Sequence, residues 1–183
     1  MNMEPDDLTK AEEEFGEIIK DGFADVLKRE LPDRSQKELG DRINKFLRKQ
    51  LIGSLATCHD SIPRSTTVRY SSDNLTIYVL TEGGGKLRNV RKNANVCFSV
   101  YGKYTGFRSC RGIQLWGTAE VISADEKDKY DQAMEKFKLG QREDLKKIDT
   151  QAMPKNMPII RIEPERIRYL SIPEGVINEE LKL

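Results

Sequence analysis

The stretch LTIYVLTEGGGKLRNV, residues 75–90, passes from a β-branched and aromatic run through three glycines to a basic segment. Residues 75–81 predict a β-strand, and residues 86–92 predict a short helix with Asn93 as its C-cap. Glycines let the backbone turn its N–H groups outward, a helix start adds a positive dipole end, and Lys86 adds a full charge. This combination predicts a cradle for a phosphate group, with a plain strand-to-helix turn and a solvated lysine as the alternative.

Strand patterns flank this stretch on both sides. The predicted strands cover residues 51–58, 63–70, 75–81, 95–101, 111–122, 157–162 and 167–172. Turns are expected at 59–62, 72–74 and 164–165, and a polar loop at 102–109. Connections this short imply antiparallel hairpins. The pattern therefore predicts a mainly β fold with flanking helices, a six- to seven-stranded antiparallel split barrel whose closure would remove aggregation-prone edge strands.

Helices are predicted before and within the strand region. Residues 8–30 and 35–49 carry apolar stripes at three- and four-residue steps. Ser123 and Glu126 form a capping box for a third helix that ends near Gly140. We expect an N-terminal helical extension at 1–50, a barrel domain at 51–172, and a partly disordered tail at 173–183. The first two helices are interpreted as packing on the barrel, with a dimer or partner-binding arm as the alternative.

The composition favours a small-molecule protein over a nucleic-acid or membrane protein. The net charge is +1, so no global field draws the chain to nucleic acid or anionic lipid. The basic cluster at 86–92 lacks interleaved stacking aromatics. No apolar run is long enough to span a membrane, and acidic residues 1–7 lack signal-peptide features. We expect a cytoplasmic protein with neither a nucleic-acid nor a membrane partner.

Cysteine and histidine usage limits the chemistry. The three cysteines lack the spacing of a disulfide framework or a zinc site. Cys58 and Cys97 lie in apolar runs and are expected as small core residues. His59 is the single histidine of the sequence and falls in a predicted turn. One histidine is too few for a multi-histidine metal site, so no metal is expected.

Seven pieces of the sequence follow one another in a familiar order. They are SLAT (54–57), PRSTTV (63–68), IYVLT (77–81), GKLRNVRKN (85–93), VCFSV (96–100), RGIQLWGTAEV (111–121) and IIRIEPERI (159–167). In this order they resemble the FMN-binding split barrel of the pyridoxamine 5′-phosphate oxidase-like superfamily. The resemblance covers most of residues 51–170. It implies a homodimer with FMN held in clefts between the subunits.

The resemblance also implies a set of cofactor-binding residues. By position, the set is Arg64, Thr66, Thr67, Val68, Thr81, Gly85, Lys86 and Gln114. Residues 66–68 would meet the isoalloxazine edge and the ribityl chain. Thr81, Gly85 and Lys86 would hold the phosphate. Gln114 of the other subunit would reach the polar edge of the flavin, and Arg64 would be a second cation for phosphate or substrate.

The chain departs from the family's vitamin B6 enzymes at several of these positions. Those enzymes carry an arginine and a lysine where Thr66 and Ser71 stand, and a basic residue where Gly85 stands. They also end in a segment with a tryptophan and arginines, which this C-terminus lacks. The resemblance therefore does not predict the vitamin B6 reaction.

The expected function is a flavin-dependent oxidoreductase that acts on a small or nicotinamide-type substrate. The flavin would carry the hydride chemistry, and three tyrosines are the candidate proton donors, although each is expected as a core or cross-strand residue: Tyr70, Tyr78 and Tyr101. One alternative is a non-enzymatic flavin, deazaflavin or haem binding protein on the same barrel. Haem would need His59 as an axial ligand. A ligand-free interaction module is the third hypothesis.

Overall fold

The computed structural model describes residues 34–137 and 156–183. Within them, three helices and eight strands alternate with two short 3₁₀ turns. The helices are α1 (Gln36–Lys49), α2 (Gly85–Lys92) and α3 (Lys127–Phe137). The strands are β1 (Ile52–His59), β2 (Ile62–Arg69), β3 (Ser71–Asp73), β4 (Thr76–Leu80), β5 (Asn95–Tyr101), β6 (Arg111–Ile122), β7 (Ile159–Ser171) and β8 (Val176–Leu181). The helix predicted at 8–30 and the end of the third helix lie outside the described residues.

All eight strands belong to one antiparallel sheet. Its order is β2-β1-β5-β6-β7-β4-β3, and β8 pairs with the second half of β7. The two outer strands, β2 and β3, follow one another in the chain across Tyr70, so the sheet curls into a half-barrel. β2 pairs with β1 on one side only. The predicted split barrel is confirmed, but one edge stays open within the described residues.

The core lies on the inner face of this curled sheet. Side chains at paired positions of β1, β5, β6 and β7 form a row with 0% exposure: Leu55, Phe98, Leu115 and Ile167. Helix α1 buries its apolar face in the same cluster. Its start is fixed by a reciprocal capping box between Ser35 and Glu38. The second predicted helix is therefore confirmed, and it packs on the barrel.

The turn predicted at Pro164 and Glu165 is wrong, because β7 runs through it as one strand. Trp116 pairs with Arg166 and Gly117 pairs with Pro164, so Glu165 is the extra residue of a β-bulge. Proline lacks the N–H that a regular ladder needs, and a bulge accommodates it. A Cβ at position 117 would overlap the carbonyl oxygen of Glu163, so the bulge requires glycine there.

The expected disorder of the C-terminal tail is also wrong, since β8 pairs with β7. The side chain of Arg34 is 6% exposed and contacts Glu179 Oε1 at 2.8 Å. The same guanidinium donates to the carbonyl oxygens of Glu174 at 2.6 Å and Gly175 at 3.3 Å. The segment before α1 therefore anchors the end of the chain.

Two further boundaries differ from the sequence prediction. The turn expected at 72–74 is displaced, because Ser71–Asp73 forms β3 and the chain reverses at Asn74 and Leu75, whose φ angles are 45° and 75°. The amide of Ser123 donates to the Glu126 carboxylate at 3.1 Å, as the capping box predicts, but the helix begins only at Lys127. No helix among the described residues is long and apolar enough to cross a membrane.

Candidate functional site

The three glycines form the junction between β4 and α2, as the sequence predicts. Gly83 and Gly84 have φ angles of 119° and 87°, values that favour glycine. Gly84 is the N-cap of α2, and among the described residues no side-chain cap bonds this end. The N–H groups of the first helical turn are therefore open to a ligand. An anion placed there would meet both these donors and the positive end of the helix dipole.

Thr81 and Lys86 converge on the same loop. Thr81 is 3% exposed, and its hydroxyl accepts a hydrogen bond from the Gly83 amide at 3.2 Å. Lys86 Nζ donates to the Gly83 carbonyl at 3.0 Å. These contacts fix the path of the loop and hold the ammonium group at the start of α2.

Arg64 reaches this point from β2. A Cβ built on Gly85 would lie 2.6 Å from Arg64 Nε and 2.7 Å from its Cζ. The guanidinium therefore fills the space that any larger residue at position 85 would need. The resemblance implies a basic residue at position 85, where this chain has glycine. In the structure, the guanidinium of Arg64 lies beside position 85. Two cations, Arg64 and Lys86, therefore lie at the open N-terminal end of α2.

The predicted residues of β2 divide between the two faces of the strand. Thr66 pairs with buried Leu55 and shares the inner face with Val68, which is 8% exposed. The Tyr70 amide donates a hydrogen bond to the Leu51 carbonyl oxygen at 3.1 Å, and from there the register of β2 against β1 is regular. Backbone groups alternate in an antiparallel ladder, so the N–H and C=O of Thr67 point to the open edge.

Gln114 is not brought to this site within one chain. It pairs with Ser99 and Arg168 and is exposed on the outer face of the sheet, opposite the core. Three strand spacings separate it from β2, or roughly 14 Å. In a single subunit, Gln114 is too far from Thr67 for both to hold one flavin ring.

The outer face also carries two of the cysteines. Cys58 and Cys97 are half-buried there, so the expectation that both are core residues is wrong. Cys97 pairs with Trp116, and Arg166 Cζ lies 3.9 Å from the Trp116 ring centroid. Burial raises the pKa of the Cys97 thiol, so it stays protonated at neutral pH and is a poor nucleophile.

The candidate proton donors do not form a catalytic group. The Tyr70 hydroxyl is buried and donates to the Leu47 carbonyl at 2.8 Å. Burial raises the pKa of the Tyr78 phenol, with Arg161 opposing the shift. Tyr101 is 64% exposed at the end of β5. Among the described residues, no group of three His, Cys, Asp or Glu side chains is arranged to hold a metal ion.

A basic cleft that the sequence analysis did not predict adjoins the open end of α2. Asn89 donates to Thr57 Oγ1 at 3.2 Å and Asn93 donates to the Cys58 carbonyl at 3.1 Å, which dock α2 against β1. Between α2 and the turn from β1 to β2 lies a cleft of about 700 Å³. Its cationic wall consists of Arg64, Arg88, Arg91 and Lys92. The cluster of basic residues at 86–92 was the sequence signal for this cleft. That these residues lie close to β2 follows only from the fold.

Comparisons with known proteins agree with this architecture. The family model described as pyridoxamine 5′-phosphate oxidase matches residues 39–171. A search of curated protein sequences finds no match. General Stress Protein 26 from Bacillus anthracis str. Sterne is 22% identical, with a TM-score of 0.56, over 80% of this chain and 99% of that chain.

Two other solved structures share the fold. An FAD-binding protein from Mesorhizobium loti is 22% identical over 69% of this chain and 87% of its own, with a TM-score of 0.52. A heme binding protein from Mycobacterium smegmatis is 14% identical over 81% of this chain and 57% of its own, with a TM-score of 0.58. The family match covers nearly the whole barrel, from α1 to the end of β7. The chain therefore belongs to the pyridoxamine 5′-phosphate oxidase family.

Proposed function

We propose that this protein binds FMN and uses it as an oxidoreductase cofactor for a small or nicotinamide-type substrate. The observation that carries the proposal is the pair of cations, Arg64 and Lys86, at the uncapped start of α2. Backbone donors and a guanidinium together match the geometry of a phosphate monoester. The guanidinium of Arg64 lies beside Gly85, where a glycine leaves room for it, and this supports an anion site at the start of α2.

The ring of the flavin would lie along the open edge of β2. Within the described part of the chain the N–H of Thr67 has no strand partner, and it would donate to a ring heteroatom, while Thr66 would add a hydroxyl on the inner face. When bound, the flavin supplies hydride transfer, which no side chain can perform. The role of this chain is to anchor the phosphate, orient the ring and donate hydrogen bonds to it.

Dimerisation follows as part of the proposal. Gln114 is roughly 14 Å from β2 in its own subunit but is exposed on the outer face. A second copy packed on that face would bring its own Gln114 toward the ring. Under this arrangement the cofactor site is complete only in the homodimer, and measurement of the molar mass in solution tests it. A monomer in solution would remove Gln114 from the site.

The lining of the cleft beside α2 supports a flavin more than haem for this chain. One related structure is an FAD-binding protein and another is a heme binding protein. His59 Nε2 lies 3.2 Å from Asp60 Oδ2, at the rim of a cationic cleft. Asp60 competes for the Nε2 of this histidine, and the cations that line the cleft suit an anion. An absorption spectrum of the purified protein separates the two cofactors directly.

The test compares FMN binding by Lys86→Ala with binding by Lys103→Ala, an exposed lysine of the β5–β6 loop that serves as a matched control. Loss of one charge-assisted contact costs roughly 1.5–3 kcal/mol. The dissociation constant for FMN should therefore rise about 10- to 150-fold in Lys86→Ala. The control should bind like the unmodified protein. Equal affinity in both variants would place the phosphate elsewhere.

The proposed oxidoreductase activity requires a separate measurement. The FMN-loaded protein should accept electrons from NADH or NADPH faster than the same concentration of free FMN. A rate equal to that of free FMN, with tight FMN binding retained, would leave a flavin-binding protein without this activity.

A further inference from the structure

We propose that a groove at the far end of the barrel from α2 binds a small organic molecule with at least two anionic groups, carboxylates or phosphates. The groove lies between α1 and the start of β6, and none of its lining residues belongs to the proposed flavin site. β5 begins at Asn95, just after α2, and the loop that follows its last residue, Tyr101, forms one wall of the groove. The strand between these two ends is roughly 20 Å long, so the groove is separate from the flavin phosphate position.

Two adjoining cavities form the groove. Their volumes are about 530 Å³ and 340 Å³, and Phe46, Lys49 and Arg111 line both of them. α1 provides one wall of the larger cavity, and the opposite wall comes from Arg111, Tyr169 and Glu174. The buried rings of Phe46 and Tyr169 lie at its base, with 5.7 Å between their centroids. Each volume lies within the range of ligand pockets, roughly 300–1,000 Å³, so the groove has room for a ligand with more than one anionic group.

Arg111 is the residue that points to an anionic ligand. Its side chain is 34% exposed, and a guanidinium carries five N–H donors. Its ion-pair partner, Glu174 Oε1, lies 3.6 Å from Nη1, which is too far for a hydrogen bond. Within the described residues, no hydrogen bond uses this guanidinium. Because a partly buried cation is stabilised by acceptors, a carboxylate or phosphate in the groove would engage these open donors.

Glu174 does not supply that acceptor, because other groups fix its position. Its Oε2 accepts hydrogen bonds from Arg42 at 3.2 Å and from the Tyr169 hydroxyl at 3.4 Å. Its carbonyl oxygen accepts from Arg34 at 2.6 Å. A shift of the carboxylate toward Arg111 would disturb both side-chain bonds. The donors of Arg111 therefore face the groove and need an acceptor from outside the chain.

Three lysines provide for a second anionic group. Lys49 lines both cavities, Lys45 lines the larger one and Lys103 lines the smaller one. Among the described residues, no carboxylate forms an ion pair with any of the three. One anionic group on Arg111 and a second group on these lysines would use both parts of the groove.

The carboxylates that line the larger cavity do not cancel this charge. Asp41 pairs with Lys37 at 3.0 Å, and Glu38 accepts a hydrogen bond from the Ser35 amide at 3.1 Å in the capping box of α1. Glu174 is held by Arg42. The remaining positive charge favours a ligand with two separate anionic groups over a single small anion.

The experiment measures ligand binding to the full chain by isothermal titration calorimetry at constant ionic strength. The probes are succinate, which has two carboxylates, and phosphoglycolate, which has a phosphate and a carboxylate. Acetate and inorganic phosphate are the controls with one anionic group, and succinamide is the uncharged control. We expect at least one probe to bind about tenfold or more tightly than either single-group control, and succinamide not to bind. The tighter of the two probes distinguishes a dicarboxylate ligand from a phosphorylated one.

Variants locate the bound probe. Arg111→Gln should weaken its binding about tenfold or more. Lys49→Gln should weaken binding severalfold, and it changes an exposed side chain, so the fold should persist. The matched control is Lys37→Gln, which removes an exposed lysine of α1 outside the groove and should bind the probe like the unmodified protein. Lys86→Ala should also leave probe binding unchanged, because Lys86 lies at the start of α2.

Two results would overturn the proposal at once. One is that neither succinate nor phosphoglycolate binds, and the other is that Arg111→Gln and Lys49→Gln both bind the probe as tightly as the unmodified protein. A loss of binding confined to Lys86→Ala would overturn it as well, because the anion would then lie at the flavin phosphate position.

Discussion

Replacement of Gly85 by alanine separates the role of the glycine from that of its neighbour Arg64. The new Cβ would lie 2.6 Å from Arg64 Nε, 2.7 Å from Cζ and 2.9 Å from Nη2, closer than such atoms approach. The guanidinium must move, and it can, because it ends an exposed and flexible side chain. The helix itself should tolerate the change, since alanine has a higher helix propensity than glycine. Gly85→Ala should therefore fold normally and bind FMN weakly.

The size of the loss follows from the displaced contact. A guanidinium–phosphate hydrogen bond contributes roughly 1.5–3 kcal/mol, so the dissociation constant for FMN should rise about 10- to 150-fold. The backbone N–H of residue 85 is retained in alanine, so the helix donors stay in place. Titration of the protein with FMN, followed by flavin fluorescence, measures the dissociation constant. A thermal unfolding curve tests whether the variant is folded.

A double-mutant cycle identifies how Gly85→Ala weakens FMN binding. If the alanine acts by expelling Arg64, then Arg64→Ala/Gly85→Ala should bind FMN no more weakly than Arg64→Ala alone. Additive losses would mean that the methyl group obstructs the phosphate directly. Unchanged affinity in Gly85→Ala would refute the reasoning, because Arg64 would then have no part in holding the ligand.

Two stability predictions concern features that the sequence did not reveal. Arg34→Ala should lower the free energy of unfolding by roughly 2–3 kcal/mol in chemical denaturation, because a side chain only 6% exposed bonds Glu179 and two carbonyls. The control, Lys37→Ala, removes a lysine that is 86% exposed and pairs with Asp41, and it should lower the free energy of unfolding by less than about 0.5 kcal/mol. Similar losses of stability in both variants would contradict the anchoring role of Arg34. Gly117→Ala should cost roughly 2 kcal/mol or more, because its Cβ would overlap the Glu163 carbonyl. Gly112→Ala, whose Cβ would meet Val100 O at 3.4 Å, should be mild, and equal melting temperatures for the two would contradict the bulge argument.

Local patterns predicted most of the barrel because most of its strands obey a two-residue periodicity. β5 buries Val96, Phe98 and Val100 on one face, and its predicted bounds match the structure. β8 escaped prediction because only Val176 and Leu181, at its two ends, are buried. It forms because β7 extends far enough to pair with it and Arg34 holds it from another segment. Neither condition is visible in residues 173–183.

The candidate site was predictable where its residues are close in sequence and not where they come from distant elements. The glycine junction, Thr81 and Lys86 lie within six residues, so the sequence alone places them together. The contact between Arg64 and Gly85 joins two elements that only the docking of α2 on β1 brings together, through Asn89 and Asn93. The proline at 164 favoured a turn in the sequence, but pairing along both halves of β7 with β6 outweighs that local preference.

In the proposed arrangement, one chain builds the phosphate end of the site completely and the ring end only in part. The loop, the start of α2 and both cations come from residues 64–86 of a single subunit, and hydrogen bonds to Gly83 fix the loop and Lys86. At the ring end, the chain offers the open edge of β2 and the exposed Thr67, with no fixed group opposite them. Affinity for the cofactor should therefore be set within the subunit. The choice of substrate should depend on what faces β2, so variants of Gln114 should alter turnover more than cofactor affinity.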